Sequence, residues 1–154
     1  MADQDSVEMH GKPITILMVE DDAEDVLITK RAFRQDKIYN DFRHVENTRD
    51  MFAYLDGKPP FEDLPRPDII LLDINLPGQN GMEALEQLRN NDAYKTIPVV
   101  MLTTSSEEED IAESYGLGAN SFISKPVTLD GMKKLARSFN EYWFQIVRIP
   151  GREK

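Results

Sequence analysis

The sequence contains no cysteine, which excludes a disulfide framework and any thiolate metal site. No apolar run approaches the roughly 20 residues that a membrane-spanning helix needs. The N-terminus has neither the basic start nor the apolar run of a secretory leader, so a cytoplasmic protein is expected. Positive charge is also in short supply: 18 Lys and Arg stand against 28 Asp and Glu, a net charge of -10. Such an excess repels nucleic acid and anionic membrane, so neither is expected as a partner, and any anionic substrate requires a local cation. Histidine is limited to His10, in a polar N-terminal stretch, and His44. Internal repeats and low-complexity segments are absent.

What remains is 154 residues, enough for one domain with a proper core. Residues 1–12 are polar and without period and read as a mobile tail; 13–148 form the domain and 149–154 a C-terminal tail. The chain is organised around Asp68-Ile69-Ile70-Leu71-Leu72-Asp73-Ile74-Asn75-Leu76-Pro77-Gly78. Its aliphatic run shows no alternation, the pattern of a strand buried on both faces in a parallel sheet. Asp73 ends that run, where an open α/β sheet places its ligands.

On either side of this stretch, strands and helices alternate. Ile14 to Val19 is an apolar strand, and Asp22 caps a helix through about Gln35 with Val26 and Phe33 on its buried stripe. Phe42 to Glu46 is a more polar strand near an edge, in which His44 reads as a structural residue. Thr48 caps a helix whose Met51, Phe52 and Leu55 face the core, and Gly57 ends it. Lys58 to Pro67, with four prolines, is an extended loop. A helix follows from about Gly81 to Asn91, then a strand from Ile97 to Leu102. Glu107, Glu108 and Glu109 occupy the first turn of a helix that stops at Gly116. Ser121 to Ser124 is a short strand, and Thr128 caps a last helix to roughly Val147. The expected fold is α/β: a doubly wound five-stranded parallel sheet of flavodoxin-like order 2-1-3-4-5.

In that fold strands one, three, four and five end in Glu20-Asp21, Asp73, Thr103 and Lys125. Each has an ordinary explanation alone: a helix-capping cluster, a loop cap, a strand-end hydroxyl, a solvated lysine. A parallel sheet opens all four ends on one edge, however, and their coincidence points to a site. Carboxylates gathered there repel one another unless a cation neutralises them, and oxygen ligands without Cys or His suit Mg²⁺. With Lys125 nearby, the result is a cavity for a phosphoryl group beside Asp73, the nucleophile.

These residues make the chain resemble the receiver domains of bacterial two-component response regulators, from Ile14 to about Val147. The matching residues are Glu20-Asp21, Asp73, Thr103 and Lys125-Pro126; Asp73 to Thr103 spans 30 positions and Thr103 to Lys125 spans 22, as in chemotaxis-type receivers. The resemblance implies that Asp73 accepts a phosphoryl group from a sensor histidine kinase. It implies that Asp21 and Asp73 bind Mg²⁺ with the backbone carbonyl of Asn75, while Glu20 holds metal-bound water. Thr103 would bond a phosphoryl oxygen, Lys125 would pair with it across a cis Lys125-Pro126 bond, and Phe122 would be the switch aromatic. Phe122 stands where a tyrosine would supply a hydroxyl. The segment Phe139-Asn140-Glu141-Tyr142-Trp143-Phe144, running into Ile149-Pro150, is similar to single-domain regulators paired with phytochrome-type kinases.

The expectation is a stand-alone phosphoacceptor switch that signals by conformational change and docking, and that catalyses only its own phosphorylation and dephosphorylation. The alternative is a degenerate receiver acting as a phosphorylation-independent interaction module, which the intact acidic, Thr and Lys set disfavours. A flavodoxin-like nucleotide or flavin binder would need a phosphate cradle where this chain has Glu20-Asp21-Asp22. A dehalogenase-type phosphatase would need an acid where Asn75 stands. In the last helix, Met132, Leu135, Phe139, Trp143 and Ile146 share one core-facing arc at about 100° per residue. Phe144 falls off that arc; with Tyr142 and Ile149 it is a candidate homodimer surface.

Overall fold

The computed structural model describes residues 14–35, 40–76, 78–103, 116, 118, 121–124, 128–134 and 137, with the side chains at 35, 40, 103 and 121–124 outside that description. The elements are β1 (Ile14–Val19), α1 (Ala23–Gln35), β2 (Asn40–Val45), α2 (Thr48–Leu55), β3 (Ile69–Asp73), α3 (Gly81–Arg89), β4 (Val99–Thr103) and β5 (Ser121–Ser124). They build a five-stranded sheet in the order β2-β1-β3-β4-β5. All four strand pairings are parallel. The carboxyl ends of β1, β3, β4 and β5 therefore open on one edge, as the alternation of strands and helices predicts. The polar strand β2 lies at the edge of the sheet, also as expected.

Apolar runs without alternation mean burial on both faces, and the two faces are distinct. Leu17, Val19, Ile70, Leu72, Val99 and Met101 pack on one side with Met51 of α2 and Leu85 and Leu88 of α3. Ile16, Met18, Ile69, Leu71, Val100 and Leu102 pack on the other with Ala32 and Phe33 of α1 and with Met132. Successive residues of each strand thus enter different cores, as the period of two requires.

The helix ends follow local chemistry. Asp22 caps α1, its Oδ1 accepting from the amides of Glu24 at 2.9 Å and Asp25 at 3.2 Å. The cap of α2 is Asn47 and not Thr48: Asn47 is extended (φ -152°, ψ 170°) and its Oδ1 accepts from the Asp50 amide at 2.7 Å. Both residue types cap well. Asn47 itself is still extended, so Thr48 becomes the first helical residue and is buried. Gly57, at φ +69°, ends the turn after α2. A capping box of Asn80 and Glu83 starts α3.

Two side chains bind the loops to this frame. The Tyr54 hydroxyl donates to the Pro65 carbonyl at 2.8 Å, and its ring packs on Phe61 with centroids 5.8 Å apart, holding the proline-rich loop. Arg89 donates from Nε to the Gly118 carbonyl at 2.8 Å and from Nη1 to the Ile97 carbonyl at 2.9 Å. That guanidinium links α3 to the chain before β4 and before β5, and its burial lowers its pKa from the ordinary value. After β5, Thr128 caps a helical turn, its hydroxyl accepting from the Gly131 amide at 3.0 Å. The expected helix from Glu107 and most of the last helix lie outside the described residues, as do both tails.

Candidate acidic metal site

β1 delivers Glu20 and Asp21 to the carboxyl edge of the sheet, and β3 delivers Asp73. Their register makes this unavoidable: Val19 pairs with Leu72, so the residues that follow each stand side by side. Glu20 is 1 % exposed and Asp73 5 % exposed, whereas Asp21 lies open to solvent. One carboxylate oxygen from each falls within 4.8 Å of the others, a group of three that could hold a metal ion. Burying two carboxylates next to a third is costly without a counter-charge. A donor set made only of carboxylate oxygens fits a hard divalent ion such as Mg²⁺, which takes one or two carboxylates and keeps water on its remaining positions.

The backbone around these groups is well anchored. Oδ1 of Asp73 accepts from the Asn75 amide at 3.0 Å, which fixes the rotation of the carboxylate. The Ile74 amide donates to the Leu102 carbonyl at 3.0 Å, and the Gly81 amide donates to the Ile74 carbonyl at 2.9 Å. Oε2 of Glu20 accepts from the Asp22 amide at 3.2 Å, folding the chain sharply after β1. From β2, the Val45 carbonyl receives the Glu20 amide at 3.1 Å, and His44 Nε2 lies 2.7 Å from the Glu20 carbonyl oxygen.

Of the residues expected at the site, Glu20, Asp21 and Asp73 are brought together, and Asn75 sits exposed two positions beyond Asp73. Thr103 ends β4, in register with Ser124 of β5, so the backbone carries both to the same edge; Phe122 pairs with Met101 further down the strand. The side chains of Thr103 and Phe122 lie outside the described residues. So do Lys125, Pro126, Tyr142, Phe144 and Ile149 altogether. Two residues near the site go beyond the sequence reading, His44 and Gly81. The one signal for His44 was its place next to the end of a strand that flanks β1; Gly81 had only its position at a helix start.

The fold and the acidic edge define a class of protein, and comparison with known sequences agrees. The chain belongs to the response regulator receiver domain family, whose profile matches residues 16–137. It is 33% identical over 138 residues to the response regulator Rcp1 of Synechocystis, covering 90% of this chain and 94% of that protein. Among solved structures it is similar to the phosphorylated cyanobacterial phytochrome response regulator RcpA, with a TM-score of 0.81, 32% identity, and coverage of 90% of this chain and 99% of that one. The Mn²⁺-bound form of Rcp1 superposes with a TM-score of 0.80 at 33% identity, again covering 90% of this chain and 99% of that one. Among the described residues, no helix is long and apolar enough to cross a membrane.

Proposed function

We propose that this receiver is a phosphoacceptor switch, in which Asp73 takes a phosphoryl group from a sensor histidine kinase in a Mg²⁺-dependent reaction. The observation that carries the proposal is the approach of Glu20, Asp21 and Asp73 to within 4.8 Å at one edge of the sheet. Asp21, Asp73 and the Asn75 carbonyl would hold Mg²⁺ directly, with Glu20 acting through water. The ion supplies charge neutralisation for the incoming phosphoryl oxygens. An Asp73 oxygen forms its bond to phosphorus as the bond from phosphorus to the donor breaks. The Asn75 amide holds the Asp73 carboxylate in one rotation throughout.

The Thr103 hydroxyl would then donate to a phosphoryl oxygen and Lys125 would pair with it, drawing in the loop after β4. Phe122 would turn into the space this leaves, and Pro126 would set the backbone beside Lys125. Output is by docking of the altered surface, with residues 13–148 as the signalling domain between two tails, in the cytoplasm. A phytochrome-type kinase is the partner that similarity to the cyanobacterial phytochrome response regulator RcpA supports. A homodimer through Tyr142, Phe144 and Ile149 completes the proposal, and Phe144→Ala should then lose dimer mass in sedimentation.

The test of the central step is mass spectrometry after incubation with Mg²⁺ and acetyl phosphate. The wild type should gain one phosphoryl mass, and Asp73→Asn should gain none. Equal labelling of the variant would remove Asp73 from its role. A wild type that takes no label from either acetyl phosphate or a kinase would favour the second reading, a phosphorylation-independent interaction module.

A further inference from the structure

The histidine on the edge strand does more than fill a strand position. His44 is on β2, one residue before its end, and its ring reaches across to the end of β1, where Nε2 lies 2.7 Å from the Glu20 carbonyl oxygen. A carbonyl oxygen only accepts, so the contact is a hydrogen bond if the proton sits on Nε2. The Glu20 amide is held from the same strand by the Val45 carbonyl at 3.1 Å. Glu20 is therefore gripped on both sides of its Cα by neighbouring residues of β2. The second grip falls on the peptide that joins Glu20 to Asp21.

That peptide is where β1 stops and the turn begins. A peptide unit is planar, so fixing the Glu20 carbonyl also fixes the Asp21 amide and the direction in which Asp21 leaves the sheet. Asp21 is the exposed member of the acidic group, whereas Glu20 and Asp73 are walled in by the core. Glu20 has its side chain further restrained by the Asp22 amide at 3.2 Å. The position of Asp21 relative to the two buried carboxylates thus depends on the peptide before it.

We infer that His44 is a positioning residue for the metal site, holding the Glu20–Asp21 peptide so that the Asp21 carboxylate faces Glu20 and Asp73. This rests on the reading of that group as a divalent cation site. The role needs a donor at the Nε2 position and no charge. Groups that bond to metal ligands without touching the metal commonly contribute ten- to hundred-fold in affinity, and a bond to a ligand's backbone belongs at the low end, about tenfold.

The experiment is Mn²⁺ binding by electron paramagnetic resonance on the full chain, metal-free at the start, for wild type, His44→Val, His44→Gln and Asp21→Asn. Valine suits an edge strand but has no donor; the glutamine amide nitrogen reaches the Nε2 position. His44→Val should bind Mn²⁺ about tenfold more weakly and His44→Gln should recover most of the loss, with both melting as the wild type does. Equal affinity in wild type and His44→Val would overturn the inference, as would a folded His44→Gln no better than His44→Val. If wild type binds no Mn²⁺, or Asp21→Asn binds as tightly as wild type, the cation-site reading itself fails and takes this one with it. Should the valine variant not fold, the wild type still decides: ¹⁵N spectra above the histidine titration range should show His44 protonated on Nε2. The Nδ1-protonated form would overturn the role.

Discussion

A Cβ atom placed on Gly81 would stand 2.3 Å from the carbonyl oxygen of Asp73 and 2.8 Å from the Cα of Ile74. The first residue of α3 thus presses on the backbone of the phosphoacceptor candidate itself, and the Gly81 amide donates to the Ile74 carbonyl at 2.9 Å. Both obstacles are backbone atoms, of the last residue of β3 and of the buried residue after it, so they cannot swing aside as a side chain would. Any residue larger than glycine must push α3 away or bend the chain after β3.

Gly81→Ala should therefore destabilise the protein by about 1–3 kcal/mol, the usual range for forcing extra volume into a packed site. It should also weaken Mn²⁺ binding and the labelling of Asp73, because the strain falls on the Asp73 peptide. Gly116→Ala is the control: nothing lies within 4 Å of a Cβ there, and it should leave stability unchanged or raise it by up to about 1 kcal/mol. Urea denaturation of both variants checks the pair. Equal, small effects would show that α3 can shift freely.

Glu20 and Asp21 should separate in a metal titration. Glu20→Gln keeps an oxygen that can accept the Asp22 amide and loses only charge, while Asp21→Asn would remove the charge of the proposed direct ligand. Calorimetric titration with Mg²⁺ should show the larger loss for Asp21→Asn, about tenfold or more, and a smaller one for Glu20→Gln. The reverse ranking would exchange their roles.

Alkaline stability should depend on Tyr94. Its hydroxyl donates to the Asp56 carboxylate, linking the loop before β4 to the end of α2. Burial first, then that hydrogen bond and the Asp56 charge, push the phenol from 10.0 up to about 12, against a smaller opposing effect of Arg66. A pKa raised by folding contributes stability that is complete below the unfolded value and is lost as pH rises through the folded one. Stability measured by urea should accordingly fall between pH 10 and about 12. Tyr94→Phe should cost about 1–2 kcal/mol at neutral pH, from the lost hydrogen bond, and should flatten that fall. An alkaline profile parallel to wild type would assign the loss to other groups.

Much of this protein could be read along the chain. The run Ile69 to Leu72 required burial on two faces, and alternation of strands with helices required a parallel sheet, because only a crossover joins parallel neighbours. Once the sheet is parallel, Glu20, Asp21 and Asp73 must reach one edge, since each follows directly on an apolar run or, for Asp73, closes it. Burial and strand direction are recorded in the pattern of residue types, so these features needed no coordinates.

What opposes what was a different matter. Asn47 and Thr48 both carry cap chemistry, and the choice between them depended on where the backbone passes from extended to helical. The two positions of His44 and Glu20 are 24 residues apart, and they meet because β2 and β1 pair in one register and not another. Gly81 meets the Asp73 carbonyl only because α3 docks against the end of β3. A sequence pattern records which way a side chain faces. The partner it meets there is set by register and docking, which the tertiary structure alone decides.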